Sequence, residues 1–174
     1  MLQKYTRYKI LQEFFDYPTK GFRIRELSRR TGIAQPSVIN HLKALLKEKL
    51  IVKEEGDLYP VYKANRDNEY FKLLKKDNLL IRLHTSNLIN EIYDKTLPSA
   101  IVLFGSAARG EDTENSDIDL FIQGPATSLN VDIYEKKLKR KISFFFEENF
   151  EKLPPELKNN IINGIVLKGY LKVF

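Results

Sequence analysis

Two aspartates stand one residue apart in a short apolar segment, and this spacing points to a cation site. Asp117 and Asp119 alternate with Ile118, Leu120 and Ile122. Side chains two residues apart in a strand point to the same face, so the two carboxylates lie side by side and repel each other. Mg²⁺ prefers one or two carboxylates together with the phosphates of a substrate. The pair therefore favours magnesium chemistry on a phosphorylated compound.

A glycine and a serine follow the preceding apolar segment. Residues 100–104 form an uninterrupted apolar strand that runs into Gly105 and Ser106. Glycine lets the backbone come close to a ligand, and free N–H groups where a strand passes into a helix can donate to phosphate oxygens. Ser106 adds a hydroxyl donor. The turn is therefore suited to hold phosphates beside the two aspartates.

Residues 105–122 read GSAARGEDTENSDIDLFI. This string resembles the signature of the nucleotidyltransferase superfamily, which includes DNA polymerase beta and the minimal nucleotidyltransferases: Gly-Ser, then Arg-Gly, then Ser-Asp-x-Asp. The resemblance extends from about Ile101 to Phe174 and implies a small mixed sheet flanked by helices. It also implies a reaction in which a nucleoside monophosphate moves from a triphosphate, ATP by expectation, to an acceptor hydroxyl. Two Mg²⁺ ions assist and pyrophosphate leaves.

The same resemblance assigns roles to residues of this string. Asp117 and Asp119 would be the catalytic residues that hold the metal ions. Arg109 would neutralise phosphate charge or close the loop through a salt bridge. The nucleotide-binding residues implied in this way are Gly105, Ser106, Arg109 and Ser116.

The sequence departs from the family in the strand predicted at residues 141–146. Minimal nucleotidyltransferases carry a third aspartate there, which ligates one ion and helps to deprotonate the acceptor, whereas this chain has Ser143. Glu147, on the same face of an extended strand, and Asp132, in the first turn of a helix predicted at 131–139, are the possible substitutes. Two interpretations stay open, a working transferase and a catalytically degenerate nucleotide sensor.

The first third of the chain predicts two short helices joined by a tight turn. Residues 25–31 form a helix that ends at Gly32, and residues 34–47 form the next helix, with Pro36 in its first turn and no capping side chain at Ala34. A further helix is predicted at 2–15, and two strands are predicted at 50–54 and 58–64, around a turn at 55–57. A polar second helix after such a turn suits the major groove of DNA.

Residues 5–66 resemble the winged-helix regulators of the ArsR and MarR type. The resemblance implies that the second helix of the pair faces DNA bases through Gln35, Ser37, Asn40 and Lys43. It places three further side chains near phosphates: Arg29, Arg30 and Lys53. Winged helices commonly read two half-sites, so we expect a homodimer. The alternative is that this region is a protein–protein or dimerisation module.

Charge is distributed unevenly along the chain. Residues 1–76 hold 17 Lys and Arg against 9 Asp and Glu, a net charge of +8, and the remainder holds 12 against 14, a net charge of −2. Only the first part has the excess of cations that neutralising DNA phosphates requires. The chain has no cysteine and no apolar run near the ~20 residues of a membrane span. We expect no membrane association, no export signal and a cytoplasmic location.

The sequence thus predicts an α+β protein with two domains. Residues 1–76 are expected to form a winged helix-turn-helix, and residues 77–174 a small mixed-sheet nucleotidyltransferase domain with a leading helix at 77–97. The first functional hypothesis is an enzyme that nucleotidylates a macromolecule, with a HEPN-type toxin as one possible partner. The second is a transcription regulator with a nucleotide-sensing domain. The third, a structural adaptor that binds neither DNA nor nucleotide, fits the basic first part least.

Overall fold

The computed structural model describes residues 5–56 and 58–174, which form two compact units that divide between Lys75 and Lys76. Leu2, expected in the first helix, and Asp57, expected in the turn between two strands, lie outside the described residues. The architecture is α+β, as the sequence predicts. Each unit has its own buried apolar core.

The first unit is a helical domain with a two-stranded hairpin. Its elements, in chain order, are α1 (Thr6–Asp16), α2 (Ile24–Thr31), α3 (Gln35–Lys47), β1 (Ile51–Glu54) and β2 (Val61–Ala64). The strands are antiparallel, with Ile51 opposite Ala64. Phe22 extends this pairing through a single bridge to Tyr62. The hairpin is thus anchored to the segment that precedes α2.

The turn between α2 and α3 follows from its local sequence. Gly32 ends α2 in the left-handed region, at a φ of 70°, where a residue with a side chain is strained. Its N–H donates to the carbonyl of Ser28 at 2.9 Å, and the Ser28 hydroxyl donates to the carbonyl of Ile33 at 2.6 Å. Helix α3 then begins without a side-chain cap at Ala34, as predicted. Its apolar face is buried through Val38, Leu42 and Leu45.

The second unit is built on a four-stranded mixed sheet. Two helices lead into it, α4 (Glu69–Thr85), which contains the division between the units, and α5 (Leu88–Thr96). The elements that follow are β3 (Ala100–Phe104), α6 (Gly105–Arg109), β4 (Ile118–Ile122), α7 (Asp132–Leu138), β5 (Ile142–Phe146), a 3₁₀ turn (Phe150–Lys152), α8 (Pro155–Ile162) and β6 (Ile165–Gly169). The strand order is β5-β4-β3-β6, and only β4 and β5 are parallel.

The helix expected at 77–97 is wrong, because the chain breaks between α4 and α5. Asn87 adopts a left-handed conformation with a φ of 72°. The Ser86 hydroxyl donates to the carbonyl of Leu83 at 2.8 Å and accepts the N–H of Leu88 at 3.2 Å. Such side-chain hydrogen bonds offer the backbone an alternative to the helical pattern. Two separate helices result.

The two faces of the sheet have different neighbours. One face belongs to a core that includes Leu83, Ile89 and Leu138 from the helices. The other contributes Val102, Phe104 and Phe121 to a smaller cluster with Phe150 and Ile161. Strand alternation therefore sends Ile118 and Leu120 of β4 into the larger core. Asp119 points to the opposite face, where one end of the sheet carries polar side chains.

Candidate functional site

Asp117 and Asp119 stand at the start of β4, where the sequence places them on one face. Asp119 lies opposite Phe104 of the antiparallel β3 and opposite Ser143 of the parallel β5. Asp117 is exposed, whereas Asp119 is half-buried. Burial, and secondarily the charge of Asp117, raises the pKa of the Asp119 carboxyl. The two carboxylates therefore form a like-charged pair, one of them partly desolvated.

Gly105 brings the backbone against Asp119. Its φ is 73°, in the region that favours glycine. A Cβ atom at this position would lie 2.6 Å from Oδ2 of Asp119, so the contact leaves no room for a side chain. Glycine is therefore required at position 105 for two reasons, the positive φ and the close contact with Asp119. Ser106 follows it as the second residue of α6, at the same end of the sheet.

Ser143 occupies the place of the missing third carboxylate. It lies opposite Asp119 in the β4–β5 register, and its hydroxyl donates to Oδ2 of Asp117 at 2.8 Å. Glu147 instead accepts the backbone N–H of Asn149 at 3.0 Å. Asp132 is the first residue of α7. Within residues 5–56 and 58–174, no three His, Cys, Asp or Glu side chains form a metal-binding group.

Arg109 and Ser116 make local contacts on either side of the loop between α6 and β4. The Arg109 guanidinium donates to Glu111 at 2.7 Å in an exposed ion pair. The Ser116 hydroxyl accepts the N–H of Thr113 at 2.9 Å. Ser116 therefore shapes the turn that delivers Asp117 to the site.

The polar face of α3 is open to solvent in the first unit. Gln35, Asn40 and Lys43 of α3 are exposed, and Ser37 is partly exposed. Lys53 is exposed on β1. These five side chains are all accessible to a ligand, as the expected DNA contacts require.

A groove of about 680 Å³ lies beside this face, between α2, the start of α3 and the end of the hairpin loop. Its lining includes Arg23, Arg25, Arg29 and Gln35, with Tyr59 at its other side. Arg25 and Arg29 are four residues apart on α2 and so share a helix face. Of these three arginines, only Arg29 is predicted from the sequence to lie near a phosphate. The i,i+4 spacing was the signal that identifies Arg25.

Arg30, which the sequence places near a DNA phosphate, makes its contacts within the first unit. Its Nε atom donates to Glu13 at 2.5 Å, and its guanidinium lies 4.5 Å from the ring centroid of Tyr17. It also lies 5.5 Å from the ring centroid of Phe22. An arginine held by a carboxylate and two aromatic rings joins α2 to α1. Arg30 therefore helps to hold α2 against α1 at the surface, and its contact with a DNA phosphate stays a prediction.

Comparison with known families matches both units. Residues 86–167 match the family described as nucleotidyltransferase domain, and residues 5–53 match the bacterial regulatory protein, arsR family. The chain joins an arsR-type helix-turn-helix domain to a nucleotidyltransferase domain. The match to the nucleotidyltransferase domain spans both aspartates, the Gly105 turn and Ser143. Neither the curated proteins nor the solved structures gave a match to the chain.

The donor set of the nucleotidyltransferase domain fits a Mg²⁺ ion that also binds substrate. Asp117 and Asp119 would supply carboxylate oxygens, and Ser143 presents a neutral oxygen beside them. Two carboxylates are sufficient where phosphates complete the coordination. The raised pKa of Asp119 reflects, in part, repulsion from Asp117, which a bound cation would relieve.

A buried ion pair joins the segments that precede the two strands carrying these donors, and no sequence pattern indicates it. Nε of Arg140 lies 3.6 Å from Oδ2 of Asp112, with only 5% and 9% of the two side chains exposed. Asp112 precedes β4 and Arg140 precedes β5, so the pair connects the approaches to Asp117 and Ser143. Asp112 is one of several acidic residues in its loop, and nothing in the pattern distinguishes it.

Among residues 5–56 and 58–174, no helix combines the length and the apolar composition that are needed to cross a membrane.

Proposed function

We propose that this protein is a DNA-binding nucleotidyltransferase that moves a nucleoside monophosphate from ATP to a macromolecular acceptor. The arrangement of Asp117 and Asp119 against the Gly105 turn carries the proposal. It places two carboxylates beside a backbone segment that has no side chain to keep phosphates away. The family match supports the same reaction class.

In this reaction the acceptor hydroxyl oxygen forms a bond to the α-phosphorus. The bond from the α-phosphorus to the bridging oxygen breaks, pyrophosphate leaves, and the proton of the hydroxyl passes to solvent water. Asp117 and Asp119 would hold Mg²⁺, which when bound neutralises phosphate charge and orients the reacting groups. The backbone at Gly105 and the hydroxyl of Ser106 would bind the β- and γ-phosphates. Arg109 and Ser116 would act mainly by holding the loop.

Removal of the proton from the acceptor hydroxyl is the step that this site assists least. A positioned general base contributes typically about 10²–10⁴-fold to a rate. Ser143 lies opposite Asp119 but carries no charge, and its hydroxyl already donates a hydrogen bond to Asp117. We therefore expect slow turnover. Because the sequence resembles the minimal nucleotidyltransferases, a HEPN-type toxin is the first class of acceptor to test.

The proposal is tested by label transfer. The protein, Mg²⁺ and each α-labelled nucleoside triphosphate are incubated with a lysate of the host cell. We expect label on a macromolecule with ATP, and its isolation identifies the acceptor. If calorimetry detects nucleotide binding but no nucleotide transfers its label, the proposed transferase activity is contradicted.

The hydrogen bond from Ser143 to Asp117 favours a second candidate function. It makes Ser143 a neutral partner of the aspartates, which suits a domain that binds Mg²⁺ and nucleotide without turnover. The protein would then be a cytoplasmic transcription regulator whose DNA affinity responds to nucleotide. Gel shifts on its own promoter region, with and without ATP and Mg²⁺, distinguish this candidate. An unchanged affinity counts against it.

For the helix-turn-helix domain we propose that the groove arginines contact DNA phosphates beside the bases read by Gln35, Ser37, Asn40 and Lys43. Lys53 on β1 would reach a neighbouring phosphate. The accessible side chains of α3 and the three arginines along one groove support this proposal. A homodimer would present two such faces to two half-sites.

Replacing both Arg25 and Arg29 by alanine is expected to weaken DNA binding and to make it less dependent on salt. Each lost phosphate contact lowers the slope of log affinity against log salt by about 1. The double variant should therefore lose about 2 in slope, measured by fluorescence anisotropy on a promoter duplex. Arg7→Ala is the control, because Arg7 pairs with Glu48 at 3.1 Å outside the groove. An equal effect per charge removed would show that general charge, not the groove, binds DNA.

A further inference from the structure

Phe145 exposes an aromatic ring on the same face of the sheet as the aspartates. Strand alternation turns Phe144 and Phe146 toward the large core of the second unit, where they pack as partly buried residues. Phe145 points to the opposite face and is 40% exposed. On that face it follows Ser143 by two residues, a distance of about 6.6 Å along a strand.

The ring of Phe145 is supported by a buried neighbour. Its centroid lies 5.4 Å from that of Phe104, in an edge-to-face arrangement, and Phe104 is only 5% exposed. Phe104 lies directly opposite Asp119 in the β3–β4 register. Phe145 therefore extends an apolar surface outward from the carboxylates, and packing against Phe104 restricts its movement.

We propose that Phe145 binds the base of the nucleoside triphosphate whose phosphates lie at Gly105 and Asp119. This inference rests on the proposed function of the second unit. The base of a nucleotide lies beyond its sugar from the α-phosphate, and Phe145 lies about 6.6 Å along β5 from Ser143, the residue opposite Asp119. Each nucleobase has an aromatic face, so stacking adds affinity with little preference between bases. Phe145 is a binding residue in this proposal, and selectivity for ATP would have to come from other contacts.

The test compares two ligands that share phosphates but differ in the base. The full chain is titrated by calorimetry with ATP and with inorganic tripolyphosphate, both with Mg²⁺. Phe145→Leu, which keeps an apolar side chain but removes the ring, should bind ATP about tenfold more weakly. Its affinity for tripolyphosphate should equal that of the parent protein. Phe145→Trp, which keeps an aromatic ring, should bind ATP about as tightly as the parent protein. Tyr170→Leu replaces an aromatic residue that is 85% exposed on the same unit, and it should change neither affinity.

The outcomes separate this inference from the function on which it rests. If Phe145→Leu binds ATP as tightly as the parent protein, the base does not lie on Phe145. If ATP and tripolyphosphate affinities fall together, Phe145 acts through the fold of the site and the inference is wrong. If the parent protein binds both ligands but prefers neither, the base makes no contact and the inference is again wrong. Failure of the parent protein to bind either ligand would overturn the proposed function itself.

Discussion

Asp119→Asn is expected to lower the rate of nucleotidyl transfer at least about a thousandfold, equivalent to about 4 kcal/mol of transition-state stabilisation. Asparagine keeps the shape of the side chain but removes one of the two charges that would hold Mg²⁺, and a bound metal ion stabilises the transition state by several kcal/mol. The initial rate of α-label incorporation measures the effect. Asp94→Asn, which removes an exposed carboxylate on α5, is the matched control and should keep the parental rate.

Stability separates this effect from damage to the fold. Burial and Asp117 raise the pKa of Asp119, so its ionised form destabilises the folded, metal-free protein relative to the unfolded chain. Asp119→Asn should therefore increase the free energy of unfolding at neutral pH in a metal chelator. The increase should shrink as pH falls through the folded pKa of Asp119 and vanish below its unfolded pKa. A stable variant that transfers label at the parental rate would exclude Asp119 from catalysis.

The part of the site that the sequence predicts depends on short-range geometry. The period of two in a strand places Asp117 and Asp119 together whatever the rest of the chain does. A glycine between a strand and a helix indicates an unusual φ or a close approach, and Gly105 has both. The same applies to Gly32, which ends α2. In each case the residue type and its immediate neighbours carry the information.

The features that the sequence misses depend on contacts between distant residues. Arg30 looks like any other cation of α2, and only the tertiary packing that brings Glu13 and Tyr17 beside it shows its structural role. Strand β6 was not predicted, since its pairing with β3 joins residues more than sixty positions apart. The pairing of Asp112 with Arg140 is likewise long-range. Periodicity contains no information about such partners.

Ser143→Asp is expected to raise the rate of nucleotidyl transfer about a hundredfold, the lower end of what a positioned general base contributes. The β4–β5 register places residue 143 directly opposite Asp119, and the present serine already reaches Asp117 at 2.8 Å. A carboxylate at this position would give the site a third negative oxygen donor and an acceptor for the proton of the attacking hydroxyl. Label incorporation under the conditions used for the parent protein measures the change.

Ser143→Asn is the matched control, since it has the size of aspartate without the charge, and it should be no faster than the parent protein. Without Mg²⁺ the third carboxylate adds like-charge repulsion, so Ser143→Asp should melt at a lower temperature than Ser143→Asn in chelator, and Mg²⁺ should reduce the difference.

A large gain over a measurable parental rate means that the natural protein is a slow transferase limited by proton removal. Transfer by Ser143→Asp beside a parent protein that binds ATP without turnover means that the single serine makes the domain a nucleotide sensor. Equal rates for the aspartate and asparagine variants would show that a third carboxylate at this position does not assist the reaction.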